Sequence, residues 1–393
     1  MPGKSRYYSE KSKEIKIRRS AIRGIAVVVL ACFAVFFAVA NLINPRREFS
    51  DGENRKLKTM PEISAEGFAD GSFFKDAFEA YSDQFVFRDA FIGIKSQAEL
   101  LSGDYKENDT VIGSDGYLFA VPATPAAAKL SAVQSAVNTF AKNNSGLKVS
   151  FMLAPCAASV LTDKLPSTAG LRDQMADVDS FGEGLDDTVT FINAGRILSG
   201  HKDDYIYYRT DHHWTSTGAR YVFTESAKDL GIEAAYEPVE HKVSDGFFGT
   251  QASSSGVYTH ADSVSIYDYK DAPQDYYVNI NSGEKMTASM FDSEKLHEKD
   301  KYQVFFGGNH PVVEIGTEAG TGKKLMIFKD SYANSFVQFL YPYYDKIIMI
   351  DPRYYYEDPV QLMKLEGITD VLFLYSANTL FTDSSLVDCI GEG

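Results

Sequence analysis

The first 23 positions are dense in basic residues, and the chain then runs from Gly24 to Asn44 without a charge (GIAVVVLACFAVFFAVANLIN). As a helix this stretch reaches about 31 Å at ~1.5 Å per residue, matching a hydrocarbon core of about 30 Å. The pattern predicts a transmembrane helix, because no other apolar run in the chain compares with it. A cleaved signal peptide is the competing reading, since Ala38 and Ala40 form an A-x-A pair. The length of the run favours an uncleaved anchor.

Residues 45–60 are polar and basic and read as a juxtamembrane linker. From Ser64 to Leu101 apolar positions recur at three- and four-residue steps (Phe74, Phe78, Tyr81, Phe85, then Phe91 and Ile94). This stripe predicts a small helical lead-in packed on the main domain. Beyond about residue 108, short apolar runs alternate with amphipathic stretches. Expected strands are 149–153, 188–192, 325–328, 346–350 and 371–375; expected helices are 127–141, 216–230, 332–340 and 359–365. That alternation predicts an α/β fold, a doubly wound parallel sheet covered on both faces. Residues 241–300 are rich in Ser, Asp, Gly and Tyr and read as an insertion. The expected organisation is a basic tail at 1–23, an anchor at 24–44, linker and lead-in at 45–107, and the α/β domain at 108–393.

Composition narrows the function. The 393 residues have an ordinary globular composition, which excludes disorder and low complexity. A net charge of -15 makes nucleic acid a poor partner. Three cysteines (Cys32, Cys156, Cys389) are too few and too scattered for a disulfide scaffold or a cysteine zinc finger. Charge is also uneven: residues 1–23 carry +6 and the remainder -21. The positive-inside rule puts the tail in the cytoplasm and the large acidic part outside the cell.

Two polar clusters follow expected strand ends, where doubly wound sheets bind ligands. The first is Tyr207-Tyr208-Arg209-Thr210-Asp211-His212-His213-Trp214-Thr215; the second is Lys329-Asp330-Ser331-Tyr332-Ala333-Asn334-Ser335. In the second, an apolar strand runs into Asp-Ser and then a helix, a turn that can present a nucleophile beside backbone N–H groups. Helix capping by Asp330 or Ser331 is the alternative. A serine needs a base, and the base an orienting carboxylate. Asp211 and His213, two positions apart, face the same side of an extended or turn segment and supply both. His212 then points the other way and reads as structural, while Trp214 can wall the site. Asp-His-His also has metal readings. The extra Asp- and His-rich motifs of the Asp-His-His phosphoesterases are absent, Trp214 stands where the Asp-His-His-Cys acyltransferases need Cys, and no zinc-type histidine spacing occurs. No metal or cofactor is expected.

Taken together, Thr210–Trp214, Lys329–Phe336 and Asp351-Pro352-Arg353-Tyr354-Tyr355 resemble the DHHW protein family of Gram-positive bacteria. Val371–Leu380 and Glu53-Asn54-Arg55 fit that family too. It is similar in turn to the SGNH-hydrolase-like alginate O-acetylation proteins, which carry Asp-x-His-Trp upstream of a Ser. The resemblance implies an SGNH-hydrolase-like fold in which Asp211 orients, His213 is general base and acid, and Ser331 carries an acetyl group. Two departures stand out: Lys329 occupies the usual Gly position before Asp-Ser, and the usual Gly-x-Asn-Asp block is missing. Gly308 and Asn309 are candidate oxyanion donors, with a plain Gly-rich turn as the alternative. Tyr208, Arg209, Trp214 and Arg353 are candidates for substrate contact, Arg353 equally for a structural ion pair. The expected function is an outward-facing, membrane-anchored O-acetyltransferase or acetylesterase acting on a cell-surface polysaccharide. A polytopic membrane O-acyltransferase is the implied donor partner, and a non-catalytic glycan-binding scaffold of the envelope is the rival reading.

Overall fold

A computed structural model describes residues 3–50, 55–101, 105–107, 109–258, 260–273 and 275–391. Contacts divide the chain into two units, Met1–Lys95 and Ser96–Gly393.

The first unit begins with helix α1 (Gly3–Ile43). Its segment Ala21–Ile43 has a mean hydropathy of 2.8, none of it is buried, and it is long and apolar enough to cross a membrane or serve as a signal sequence. In the stretch read as linker, Phe49–Ser50 pairs with Arg55–Lys56 in a short antiparallel ladder. Glu53 and Asn54 of the family-like lead-in lie outside the described residues. Helix α2 (Ala65–Asp70) starts where the Ser64 hydroxyl accepts the Gly67 N–H at 3.1 Å. It stops at Gly71, whose φ of 81° is a left-handed conformation that suits glycine. Helices α3 (Ser72–Asp83) and α4 (Arg88–Leu101) follow. Most of the aromatic stripe is exposed, with Phe74 60% and Phe78 71% accessible.

The second unit is built on an eight-stranded sheet. Its strands in chain order are β1 (Lys148–Ala154), β2 (Val189–Asn193), β3 (Tyr276–Ile280), β4 (Lys285–Thr287), β5 (Val312–Thr317), β6 (Lys324–Lys329), β7 (Lys346–Ile350) and β8 (Asp370–Ser376). Their spatial order is β4-β3-β5-β7-β6-β8-β1-β2. The five strands from β7 to β2 run parallel, while β5, β3 and β4 are antiparallel to their neighbours. The expectation of a wholly parallel sheet is corrected accordingly. The region read as an insertion supplies two of the antiparallel strands, β3 and β4, and hairpin-type connections permit antiparallel pairing without a crossover helix.

Both faces of the parallel part are covered. Along β6, Leu325 and Ile327 enter one apolar core, while Met326 and Phe328 enter the other. Strands buried on both faces read as continuous apolar runs, as β6 does. Helix α5 (Ala127–Asn143) lies on the Phe328 side, and α6 (Ser216–Ser226) on the Leu325 side. A separate antiparallel hairpin, Pro238–Phe247 with Asp262–Tyr269, carries the short helix α7 (Thr250–Ser255) between its strands. These pieces converge on the carboxyl end of β6.

Candidate active site

Strand β6 ends at Lys329, and helix α8 begins at Tyr332 (Tyr332–Phe336), leaving Asp330 and Ser331 in the turn. Asp330 is fully buried and takes the structural work there. One carboxylate oxygen accepts the Tyr332 N–H at 2.9 Å, and the other accepts the N–H and hydroxyl of Ser376 at 2.9 and 2.7 Å. Asp330 therefore caps the helix and ties it to the end of β8. The Ser331 side chain makes no capping bond and is partly exposed. Its N–H has no protein acceptor among the described residues.

The Ser331 hydroxyl meets His213 Nε2 at 2.7 Å, and His213 Nδ1 meets Asp211 Oδ1 at 2.5 Å. The loop carrying both residues crosses the end of β1, where the Tyr207 hydroxyl donates to the Pro155 carbonyl at 2.8 Å. Of the two local forms expected, extended or turn, it takes the bend. Asp211 reaches His213 by folding back, and it also accepts the His213 N–H at 3.1 Å. His212 does not point away. Its ring lies 3.9 Å from that of His213, and its Nδ1 is 2.7 Å from the Thr250 hydroxyl.

The hairpin region clamps this loop. Asp211 Oδ2 accepts the N–H and hydroxyl of Thr250 at 2.9 and 3.0 Å. Only glycine fits before it: a Cβ on Gly249 would sit 2.3 Å from Asp211 Oδ2. Asp262 accepts the backbone N–H groups of Arg209 and Thr210, both at 2.8 Å, and the Tyr205 hydroxyl. Tyr302 lies flat on the imidazole of His213, 3.7 Å between centroids and 11° between planes. Its hydroxyl donates to the Ser331 carbonyl at 2.9 Å. Burial pushes the Asp211 carboxyl up, but the two imidazoles and the bonds from His213 and Thr250 outweigh it and hold the group well below the usual carboxylate range. Asp211 is thus an anion facing a ring whose far nitrogen faces a hydroxyl.

A second network lies beside the first. The Lys329 side chain is 1% exposed, and its ammonium donates to Asn334 Oδ1 at 2.9 Å and Asn309 Oδ1 at 3.2 Å, with Asp351 at 3.6 Å. Burial pushes its pKa down to about 8, helped by the Arg353 charge and opposed by Asp351. Arg353 grips Asp351 with two bonds of 2.8 and 2.6 Å. Asn334 Nδ2 also donates to Asn309 Oδ1 at 3.0 Å. Asn309 thus accepts two bonds at one oxygen and is itself exposed.

The sequence candidates therefore separate. Asp211, His213 and Ser331 come together, and Asn309, next to Gly308, joins the flanking Lys329 network. Arg353 is in the ion pair with Asp351. Tyr208 and Trp214 are buried in the core and present no surface to a substrate; Trp214 Nε1 donates to Ser335 Oγ at 3.0 Å, and Tyr208 N–H to the His213 carbonyl at 3.2 Å. The Arg209 guanidinium stacks over Tyr205 and Tyr117. Sequence reasoning missed Tyr302, Thr250, Asp262 and the Asn334–Lys329 bond. Only Gly249-Thr250 carried a local hint, a small residue before a helix start. The donor atoms of Asp211, His212 and His213 lie within 4.8 Å of one another, a grouping able to hold a metal ion, and in this structure they are hydrogen-bonded to each other, Ser331 and Thr250.

Comparison with known proteins is consistent with this architecture. The profile of the DHHW protein family matches residues 147–350. A DHHW family protein from Eubacterium siraeum is 24% identical, with a TM-score of 0.61 over 71% of this chain and 94% of its own. PatB1 from Bacillus cereus, solved with a sulfonyl adduct, is 21% identical, with a TM-score of 0.58 over 71% of this chain and 98% of its own. A second PatB1 structure gives 20% identity and a TM-score of 0.55, covering 69% and 97% of the two chains. A search of curated proteins returned no match.

Proposed function

The chain belongs to the DHHW protein family, and from that premise we propose that it is a membrane-anchored serine acyltransferase or esterase that moves acetyl groups on a cell-surface polysaccharide outside the cell. The observation that carries this reading is the unbroken line of contacts from Ser331 through His213 to Asp211, 2.7 and 2.5 Å long. The Ser331–His213 length lies within the hydrogen-bond reach of a nucleophile and its base, and the His213–Asp211 contact is shorter still, as between an orienting carboxylate and its ring. The PatB1 structure with a sulfonyl adduct adds support, since sulfonylation is a reaction of nucleophilic groups.

In this reading Ser331 Oγ attacks the acetyl carbonyl while His213 Nε2 takes its proton. Asp211 stabilises the imidazolium and fixes the ring. The oxyanion that forms is met, in this reading, by the Ser331 N–H and the Asn309 amide. His213 returns its proton to the leaving oxygen as the C–O bond breaks, and acetyl remains on Ser331. A sugar hydroxyl, or water, then attacks that ester and passes its proton to His213, which hands it to Ser331 Oγ as the Ser331–acetyl bond breaks and the free hydroxyl is restored. On the same reading the donor is a polytopic membrane O-acyltransferase, and a membrane-crossing Ala21–Ile43, long and apolar enough for that role, keeps the chain in the same membrane. No cofactor takes part.

Turnover of an aryl acetate by the full-length protein tests the reading. We expect release of the aryl alcohol, its loss in Ser331→Ala, and a sulfonyl fluoride that blocks turnover while adding its mass to the peptide containing Ser331. Glycan binding without turnover would point instead to an envelope scaffold, and an undiminished rate in Ser331→Ala would reject the triad.

A further inference from the structure

The first unit carries an aromatic face that the acyl-transfer reading leaves without a task. On α3 (Ser72–Asp83), Phe74, Phe78 and Tyr81 fall within a sector of about 60° at ~100° per residue, while Lys75, Asp76, Glu79 and Asp83 occupy the other side. Asp76 and Glu79 meet Lys58 there, which fixes the charged side toward water. The aromatic side is open, with Phe78 71% accessible and Tyr81 53%. Between α3 and α4 lies an open groove lined by Phe78, Tyr81, Phe85, Phe91 and Ile92. Exposed apolar faces of this kind mark an interaction surface.

The occupant follows from where this face sits on α1. The turn joining α3 and α4 is bonded to the last turns of the apolar span: the Val86 N–H donates to Asn41 Oδ1 at 2.8 Å, and Asn44 Nδ2 donates to the Gln84 carbonyl at 3.1 Å. Deeper along α1, the Phe37 ring stacks on Phe85 at 5.7 Å and meets Phe91 at 6.0 Å. Phe37 precedes Ile43 by six positions, about 9 Å along a helix axis at ~1.5 Å per residue. The aromatic corner is therefore level with the end of the span rather than beyond it. In a bilayer crossed by α1, that depth is the boundary between headgroups and acyl chains, where aromatic rings concentrate and amphipathic helices lie.

We propose that the aromatic face of α3, with the α3–α4 groove, is a lipid-docking surface that rests in the outer leaflet beside the span. The inference rests on the membrane-anchor reading and adds to it a second, interfacial attachment. It is tested with the full-length chain in phosphatidylcholine–phosphatidylglycerol vesicles bearing dibrominated acyl chains. Two variants each add one tryptophan to Trp214, the single native one: Phe36→Trp reports on the span and Phe78→Trp on the face. Tyr81→Trp is a second reporter should Phe78→Trp fail to fold.

We expect the emission added at either position to be quenched by the bromolipid and shielded from aqueous acrylamide. Quenching at position 36 with an unquenched, acrylamide-accessible tryptophan at 78 and 81 would overturn the docking surface while leaving the anchor intact; the face would then await water or a protein partner. Absence of quenching at all three positions would overturn the anchor, and the docking surface with it.

Discussion

The imidazole of His213 is fixed on three sides: by Asp211 at Nδ1, by Ser331 at Nε2 and by the Tyr302 ring lying flat on its face. Such a ring has one tautomer and one orientation available, which is how a base is kept ready for a single hydroxyl. Removing the charge of Asp211 while keeping its shape tests that economy. Asp211→Asn is expected to lower aryl acetate turnover by about 10³–10⁴. Thr250→Val, which removes the hydroxyl that donates to Asp211 and also faces His212 Nδ1, should cost about 1 kcal/mol, roughly fivefold. Steady-state kinetics on both variants checks the order, and an Asp211→Asn rate near that of the parent would sink the assigned role.

Lys329 makes a different test possible. Its folded pKa is pushed down to about 8 from an ordinary 10.5. Between those values the unfolded chain binds a proton that the folded chain lacks, so folding stability rises with pH across that window. Below about pH 8 both states carry the charge, and the burial penalty is present in full. Chemical denaturation from pH 7.5 to 10.5 should therefore show a gain in the parent that is missing in Lys329→Met. Equal slopes for the two proteins would refute a buried, charge-strained lysine.

At the scale of elements, the site is a seam between the sheet and the hairpin region. Strand β6 delivers Ser331, but Thr250 and Asp262, which hold the Asp211 loop, come from α7 and the hairpin. At Gly249 the hairpin region leaves no room for a side chain beside the loop. Gly249→Ala is expected to push Asp211 out of line and abolish most turnover, because the added Cβ meets the carboxylate at 2.3 Å. Ala at nearby Gly246, where a Cβ meets nothing within 4 Å, should be nearly silent. The same assay applied to both variants separates a positional effect from a general loss of glycine.

For the whole molecule, charge and span make one prediction about topology. The tail carries +6 and the remainder -21, and by the positive-inside rule that asymmetry predicts an outward-facing body. Protease added to intact cells should digest the large unit and spare an epitope placed at residue 1. Protection of the large unit would reverse the topology and remove any access to surface polysaccharide.

Much of the fold was readable from local pattern. The run Leu325 to Phe328 announced a two-sided buried strand, the step into Asp-Ser and a helix announced the turn, and Asp211 with His213 announced a carboxylate–imidazole pair. The charge-free stretch Gly24–Asn44 likewise announced its helix. Such signals live within a few residues of one another, because strand alternation, helical period and charge spacing are all short-range properties. Tertiary structure alone decided the rest. His213 and Ser331 are 118 positions apart and meet only because β6 lies inside the sheet, between β7 and β8, with the Asp211 loop crossing nearby. Tyr302 is one of 24 tyrosines until the chain lays it on His213. The exposure of Phe78 likewise depends on which neighbours arrive to cover it, and contacts at that range are set by strand order and packing, to which no local spacing is sensitive.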